Sequence, residues 1–140
     1  MSPEALLDKA REAASHAYAP YSQFPVGCAL LLDDGRVITG CNVENASYGL
    51  TMCAERGAVS RMIIDGDHGS TGEGGAPRPR ILVAAIAGLK AAPCHPCGAC
   101  RQVLHEFKCE RVVVEDKETK KPVAIDFADI LPHAFGPDDL

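Results

Sequence analysis

No stretch of this sequence is apolar enough to cross a bilayer. Its longest strongly apolar run, residues 81–89, is less than half the roughly 20 residues a membrane-spanning helix needs. The first eleven residues carry Glu4 and Asp8 and lack a continuous apolar core, so they do not read as a secretory signal. A cytoplasmic location with reduced cysteines is therefore expected. Positive charge is scarce: 14 Lys and Arg stand against 19 Asp and Glu, a net charge of −5. The basic residues gather only in short groups at 78–80 and 117–121. A protein that follows a polyanionic backbone needs a basic groove, so neither nucleic acid nor membrane is expected as a partner. An internal repeat and a composition break are missing as well, and residues 1–140 are expected to form a single domain. Even the cysteine count excludes something, because seven cannot all pair within one chain. Thiolate chemistry or metal binding becomes the question to ask of them.

What is present is ordinary for a globular chain, at 46% hydrophobic and 24% charged residues. Ser2 followed by Pro3 predicts a helix start, and apolar residues from Ala5 to Ala17 recur at helical spacing to about His16. Ala19-Pro20 ends that pattern. The apolar runs at Val26–Leu32 and Val37–Cys41, joined by Asp33-Asp34-Gly35, predict a β-hairpin. Residues 42–50 read as a loop, and Thr51 as the cap of a helix from Met52 or Cys53 to about Asp65. Residues 65–80, with five glycines and two prolines, read as a flexible surface loop. A buried strand at Ile81–Gly88, a helix over 98–107, and strands at Arg111–Glu115 and 123–126 complete the pattern, with a short tail from Asp129. The expected fold is α/β: a three-layer sandwich with a five-stranded mixed sheet and helices on both faces. Strands separated by helices make part of that sheet parallel.

The strongest chemical signal is Pro96-Cys97-Gly98-Ala99-Cys100. Thiols three residues apart at a helix start share a face, and the helix N-terminus favours their thiolate form. Alone, such a pair serves metal binding, redox chemistry or neither. Cys53-Ala54-Glu55 supplies the context, since it too lies at a predicted helix start. Three thiolates, Cys53, Cys97 and Cys100, make an open zinc site whose fourth position is free for water. Glu55 lies two residues from Cys53, points to another side, and suits a general acid/base beside the ion.

Zinc deaminases carry this constellation: a ligand, one residue, a glutamate that does not bind the metal, then Pro-Cys-x-x-Cys, with a three-cysteine variant. Over nearly its whole length the chain resembles the small cytidine deaminases that act on free nucleosides. The likeness runs through residues 20–27 (PYSQFPVG), 40–49 (GCNVENASYG), 53–56 (CAER), 96–102 (PCGACRQ), and ends at Leu131-Pro132 with Phe135. It implies one zinc ion per chain, a nucleoside substrate, a role in pyrimidine salvage and a homotetramer. It also implies that Phe24 lines the nucleoside pocket, that Asn42 and Glu44 hydrogen-bond ribose hydroxyls, and that the Ala54 backbone contacts the base. Tyr48 and Phe135 are then the residues a neighbouring subunit borrows. The reaction expected is attack of hydroxide on C4 of cytosine. Glu55 takes the water's proton and delivers protons to N3 and to the departing amine, giving uridine, or deoxyuridine, and ammonia.

The sequence departs from the pattern twice. Residues 65–80 are longer than the family pattern, and Cys94 creates a rival pair with Cys97 on spacing alone. Pro96 between them works against a single helical turn there. Three thiolates around zinc carry a net charge of −1, and Arg56, next to Glu55, is expected to hydrogen-bond them. The other cysteines, Cys28, Cys41 and Cys109, read as small buried hydrophobes. The five histidines read as solvated, His95 being nearest the motif. Rival functions are a closed structural zinc or redox module with Cys94 as fourth ligand, a nucleic-acid-editing deaminase, a nucleotide deaminase, and a deaminase of nucleoside antibiotics.

Overall fold

The computed structural model describes residues 1–66 and 78–140. The expected loop at 65–80 therefore lies largely outside the described residues. In chain order the elements are α1 (Pro3–Ala14), β1 (Val26–Leu32), β2 (Val37–Cys41), α2 (Ala54–Ile64), β3 (Ile81–Gly88), α3 (Gly98–Glu106), β4 (Arg111–Glu115), β5 (Pro122–Asp126) and α4 (Phe127–Ile130), with single 3₁₀ turns at Tyr48–Leu50 and Pro137–Asp139.

The strands form one sheet in the order β2-β1-β3-β4-β5. Pairing is antiparallel except between β3 and β4, the two strands that α3 connects. The expected five-stranded mixed sheet is what the chain builds. Alternation along β1 divides the core. Cys28, Leu30 and Leu32 face one side with Ile86, Val112 and Val114, covered by Ala54, Ala58 and Met62 of α2 and Leu104 of α3. Ala29 faces the other side with Ala85, Ala87 and Val113, covered by Leu6, Leu7 and Ala10 of α1. Each fully buried leucine of α1 contributes about 1.5–3 kcal/mol against remaining exposed.

Small residues decide how near the helices come. A Cβ on Gly27 would lie 1.8 Å from the Ala10 carbonyl oxygen, and one on Gly40 would lie 2.5 Å from the Ala58 nitrogen. β2 therefore meets the first turns of α2 backbone to backbone, which sets where that helix begins.

Several boundaries differ from the reading above, among them the end of α3 at Glu106 rather than 107. α1 stops at Ala14, because the Ser15 N–H splits between the Arg11 and Glu12 carbonyls and its hydroxyl donates back to Glu12 O at 2.6 Å. α2 is capped by Cys53 rather than Thr51. Thr51 Oγ1 instead accepts the Asn45 N–H at 3.3 Å, and Met52 bridges to Val43 in extended conformation, so the helix cannot start earlier. β5 begins one residue sooner, at Pro122, where an edge position needs no N–H. The four-residue α4 is an element the sequence reading lacked.

Candidate metal centre and adjoining cleft

Two helix N-termini converge to make the centre. Cys53 caps α2 and Cys97 caps α3, both in extended conformation. Their sulfurs face each other at 4.0 Å. Cys100, buried in the first turn of α3, completes the group, with all three Sγ atoms within 4.8 Å of one another. Zinc bound at about 2.3 Å per sulfur would hold tetrahedral neighbours about 3.8 Å apart, so the cluster needs little adjustment to hold it. Three soft thiolates are also the donor type that selects zinc over harder divalent ions. Burial pushes the Cys97 thiol up, yet the N–H groups of Cys100 and Ala99 and the neighbouring thiols outweigh it, and its pKa lies below the usual thiol range.

Arg56 supports the same centre. Its Nη2 donates to Cys53 Sγ at 3.6 Å and to the Thr51 carbonyl at 3.2 Å. The Cys53 thiol, then Cys100, favours its charged form, and its Nε is buried without a protein partner among the described residues. A guanidinium held in this way suits sulfurs that carry negative charge.

Glu55 is 4% exposed and lies outside the group of sulfurs. Burial raises its carboxyl above the usual carboxylate range, opposed by its own backbone N–H, the Cys100 thiol and Arg56. A carboxyl so placed is suited to exchange protons beside the metal rather than to bind it. Ala54 is fully buried at the first position of α2. Cys94 packs half-buried against the core, outside the cluster, with burial raising its thiol to about 11. His95 is exposed.

The expected sugar-binding residues lie along the strand ends. Asn42 is 9% exposed, and its amide is used by the backbone: Oδ1 accepts from Val26 N at 2.9 Å and Nδ2 donates to Phe24 O at 3.0 Å. It thereby seats Phe24, whose ring packs so close to Gly88 that a Cβ there would lie 2.9 Å from it. Glu44 Oε1 accepts from Tyr21 N at 3.0 Å and Ser22 N at 3.1 Å. These hydrogen bonds, with the Ser22 hydroxyl foremost, hold its carboxyl below the usual range. A cavity of about 360 Å³ lies beside it, lined by Tyr21, Ser22, Glu44, Tyr48 and Thr51. Thr51 links the two regions, since its carbonyl accepts from the Arg56 that holds Cys53. Tyr48 is 74% exposed and stands edge-on to Tyr21, and Phe135 is 61% exposed at the far end of the chain. The sequence reading missed Arg101, whose guanidinium bonds the Pro96 and Ile130 carbonyls. Its place directly after Cys100 was the available signal.

The profile of the cytidine and deoxycytidylate deaminase zinc-binding region matches residues 1–116. The chain belongs to this deaminase family. Among its relatives, the cytidine deaminase of Mycobacterium tuberculosis (strain H37Rv) is 45% identical over 135 residues, covering 96% of this chain and 90% of the relative. A crystal structure of a mutant of the M. tuberculosis cytidine deaminase matches with a TM-score of 0.79 at 40% identity, over 100% of this chain and 99% of that one. The cytidine deaminase of Burkholderia pseudomallei matches with the same TM-score and identity, over 96% and 100%. The three clustered thiols fall within the span that this zinc-binding region matches and could hold a metal ion.

Proposed function

We propose that this protein deaminates cytidine and deoxycytidine hydrolytically, giving uridine or deoxyuridine and ammonia, as a step in pyrimidine salvage in the cytoplasm. The observation that carries the reading is the pairing of three clustered thiols with the buried Glu55 carboxyl on the same helix turn as Cys53. Residues 1–140 act as a single deaminase domain holding one zinc ion through Cys53, Cys97 and Cys100.

When bound, zinc supplies a Lewis acid that lowers the pKa of a water toward neutrality. Glu55 receives that proton and passes it to N3 of the base, then takes the remaining proton from the hydroxyl added at C4 and delivers it to the amine leaving C4. Its burial supports the role, because desolvation favours the protonated carboxyl and so eases both the uptake and the return of a proton. The Ala54 backbone meets the base at the same helix start. Phe24 and Asn42 form the sugar wall. Glu44 lines the cavity and offers its carboxylate to a ribose hydroxyl.

Among the described residues, the lining of the cavity beside Glu44 holds no lysine or arginine and one carboxylate. That supports a nucleoside over a 5′-nucleotide, whose phosphate would need a cation. Tyr18, Tyr21, Val43, Tyr48, Leu50 and Met52 expose apolar surface along one stretch of chain. Such a patch supports coverage by further copies in a homotetramer, with Tyr48 and Phe135 reaching a neighbour's substrate.

The test follows cytidine absorbance with the zinc-loaded protein and with Glu55→Gln. Conversion by the wild type, and a loss of about 10²- to 10⁴-fold in the variant, is expected. A variant within about tenfold of the wild type would remove Glu55 as the shuttle. Turnover of the 5′-monophosphate with none of cytidine would overturn the substrate class.

A further inference from the structure

We infer that Arg101 is a positioning residue for the metal ligands, setting the plane from which Cys97 projects. The inference rests on the zinc reading of Cys53, Cys97 and Cys100. Arg101 Nε donates to the Pro96 carbonyl at 2.8 Å and Nη1 to the Ile130 carbonyl at 2.8 Å. Pro96 is fully buried, and Ile130 is buried at the end of α4. The Pro96 carbonyl belongs to the same rigid peptide unit as the Cys97 nitrogen, so holding that oxygen fixes the orientation of the unit. It lies outside the hydrogen-bond ladder of α3, whose first carbonyl, that of Cys97, accepts the Arg101 N–H at 2.9 Å. One residue thus holds both carbonyls that flank the Cys97 backbone, with its side chain on one and its main chain on the other.

The second anchor explains why an arginine stands here. Ile130 belongs to the C-terminal segment, which wraps α3. Gln102 Nε2 donates to the Phe135 carbonyl at 2.8 Å, and the His105 ring stacks on Phe127 at 6.0 Å between centroids. The side chains of Gln102 and His105 reach that segment, whereas Arg101 joins it to the peptide before a ligand. A planar fork can serve two carbonyls at fixed separation, and an ammonium cannot reproduce that geometry.

The experiment compares the wild type, Arg101→Ala, Arg101→Lys and Gln102→Ala as purified full-length chains. It measures zinc affinity by competition with a chromophoric chelator, the absorption spectrum of the cobalt(II)-substituted protein, and melting of the metal-free form. Arg101→Ala is expected to lose about 10- to 100-fold in zinc affinity, the usual effect of removing a group that orients a ligand, and to shift the thiolate-to-cobalt bands. Arg101→Lys is expected to show the same loss, because charge without the fork does not hold the peptide. Gln102→Ala, which frees only the Phe135 carbonyl, is expected to keep zinc affinity even where metal-free melting falls. Either Arg101 variant within about threefold of the wild type, with an unshifted cobalt spectrum, overturns the inference. So does Gln102→Ala losing as much as Arg101→Ala, which would mean that docking of the C-terminal segment matters and the Pro96 carbonyl does not. If Arg101→Ala does not fold, the lysine variant decides. A wild type that binds no zinc takes down the zinc reading and this inference with it, and that failure is read in the unmodified protein alone.

Discussion

Replacing Gly40 with alanine tests whether close approach of β2 to α2 sets the geometry of the metal centre. The added Cβ would lie 2.5 Å from Ala58 N, 2.6 Å from Ala54 O and 2.9 Å from Ala58 Cα. All three atoms are helix backbone, so no side chain can turn aside to make room. Ordinary contact begins at 3.4 Å, and reaching it from 2.5 Å requires α2 to retreat by about 0.9 Å. Cys53 and Glu55 ride on that end of the helix, while Cys97 and Cys100 ride on α3, so the retreat alters the spacing between the two pairs.

Overpacking of this kind costs about 1–3 kcal/mol. At this chain length each kcal/mol corresponds to about 4 °C of melting temperature, so a fall of about 4–12 °C is expected. A displacement near 1 Å at a reacting centre reduces turnover by about 10²-fold. Zinc affinity should fall as well. Gly57→Ala is the control on the same helix, because its Cβ would meet only Cys41 O at 3.5 Å. Relief of helical glycine there is expected to raise the melting temperature by about 2–4 °C. Calorimetry and chelator competition on the two variants check both. Gly40→Ala melting within about one degree of the wild type, with wild-type zinc affinity, would refute the reasoning.

Two further outcomes are expected. Cys97→Ser should abolish stable zinc binding while Cys94→Ser leaves one zinc per chain, measured by elemental analysis; equal loss in both would bring back the rival site with Cys94 as a ligand. Asp116 accepts hydrogen bonds from Thr119 N at 2.8 Å, Thr119 Oγ1 at 3.1 Å and Glu118 N at 3.0 Å, which hold its carboxyl below the usual range. A depressed folded-state value stabilises above the ordinary aspartate pKa, and that contribution disappears as pH falls through the lower value. Asp116→Asn should therefore melt below the wild type at pH 7, with the gap closing below about pH 4; a gap independent of pH would exclude the charge as its source.

The parts of the fold legible in the sequence were those written in local spacing. Asp33-Asp34-Gly35 marks a hairpin because the turn needs a residue at positive φ, and Gly35 has φ 89°. Cys97 and Cys100 lie three apart on one helix, and Cys53 and Glu55 two apart on another, so their relation within each helix followed from periodicity. What escaped was set by distant partners. Thr51 has the chemistry of a cap, but Asn45 and the Val43–Met52 bridge claim it first. Asn42 and Glu44 gave no sign in sequence that their side chains would hold the backbone of residues 21–26. Arg101 went unread because one of the two carbonyls it holds lies 29 residues away.

Charge balance gives Arg56 a part that geometry alone would leave optional. Zinc with three thiolates carries −1, which weakens its pull on a water compared with neutral histidine ligands. Two helix N-termini, each equivalent to about half a positive charge, and one guanidinium stand against it. The helix ends cannot be removed without unfolding the centre, but the guanidinium can. Arg56→Ala deletes the contacts to Cys53 Sγ and Thr51 O together with the charge. It is expected to cost about 10- to 100-fold in zinc affinity or turnover. Arg56→Lys restores the charge without the paired contacts. If charge is what matters, the lysine variant should recover most of the loss; if the contacts matter, it should resemble alanine. Normal zinc content and normal rate in Arg56→Ala would mean that the helix N-termini alone offset the thiolates.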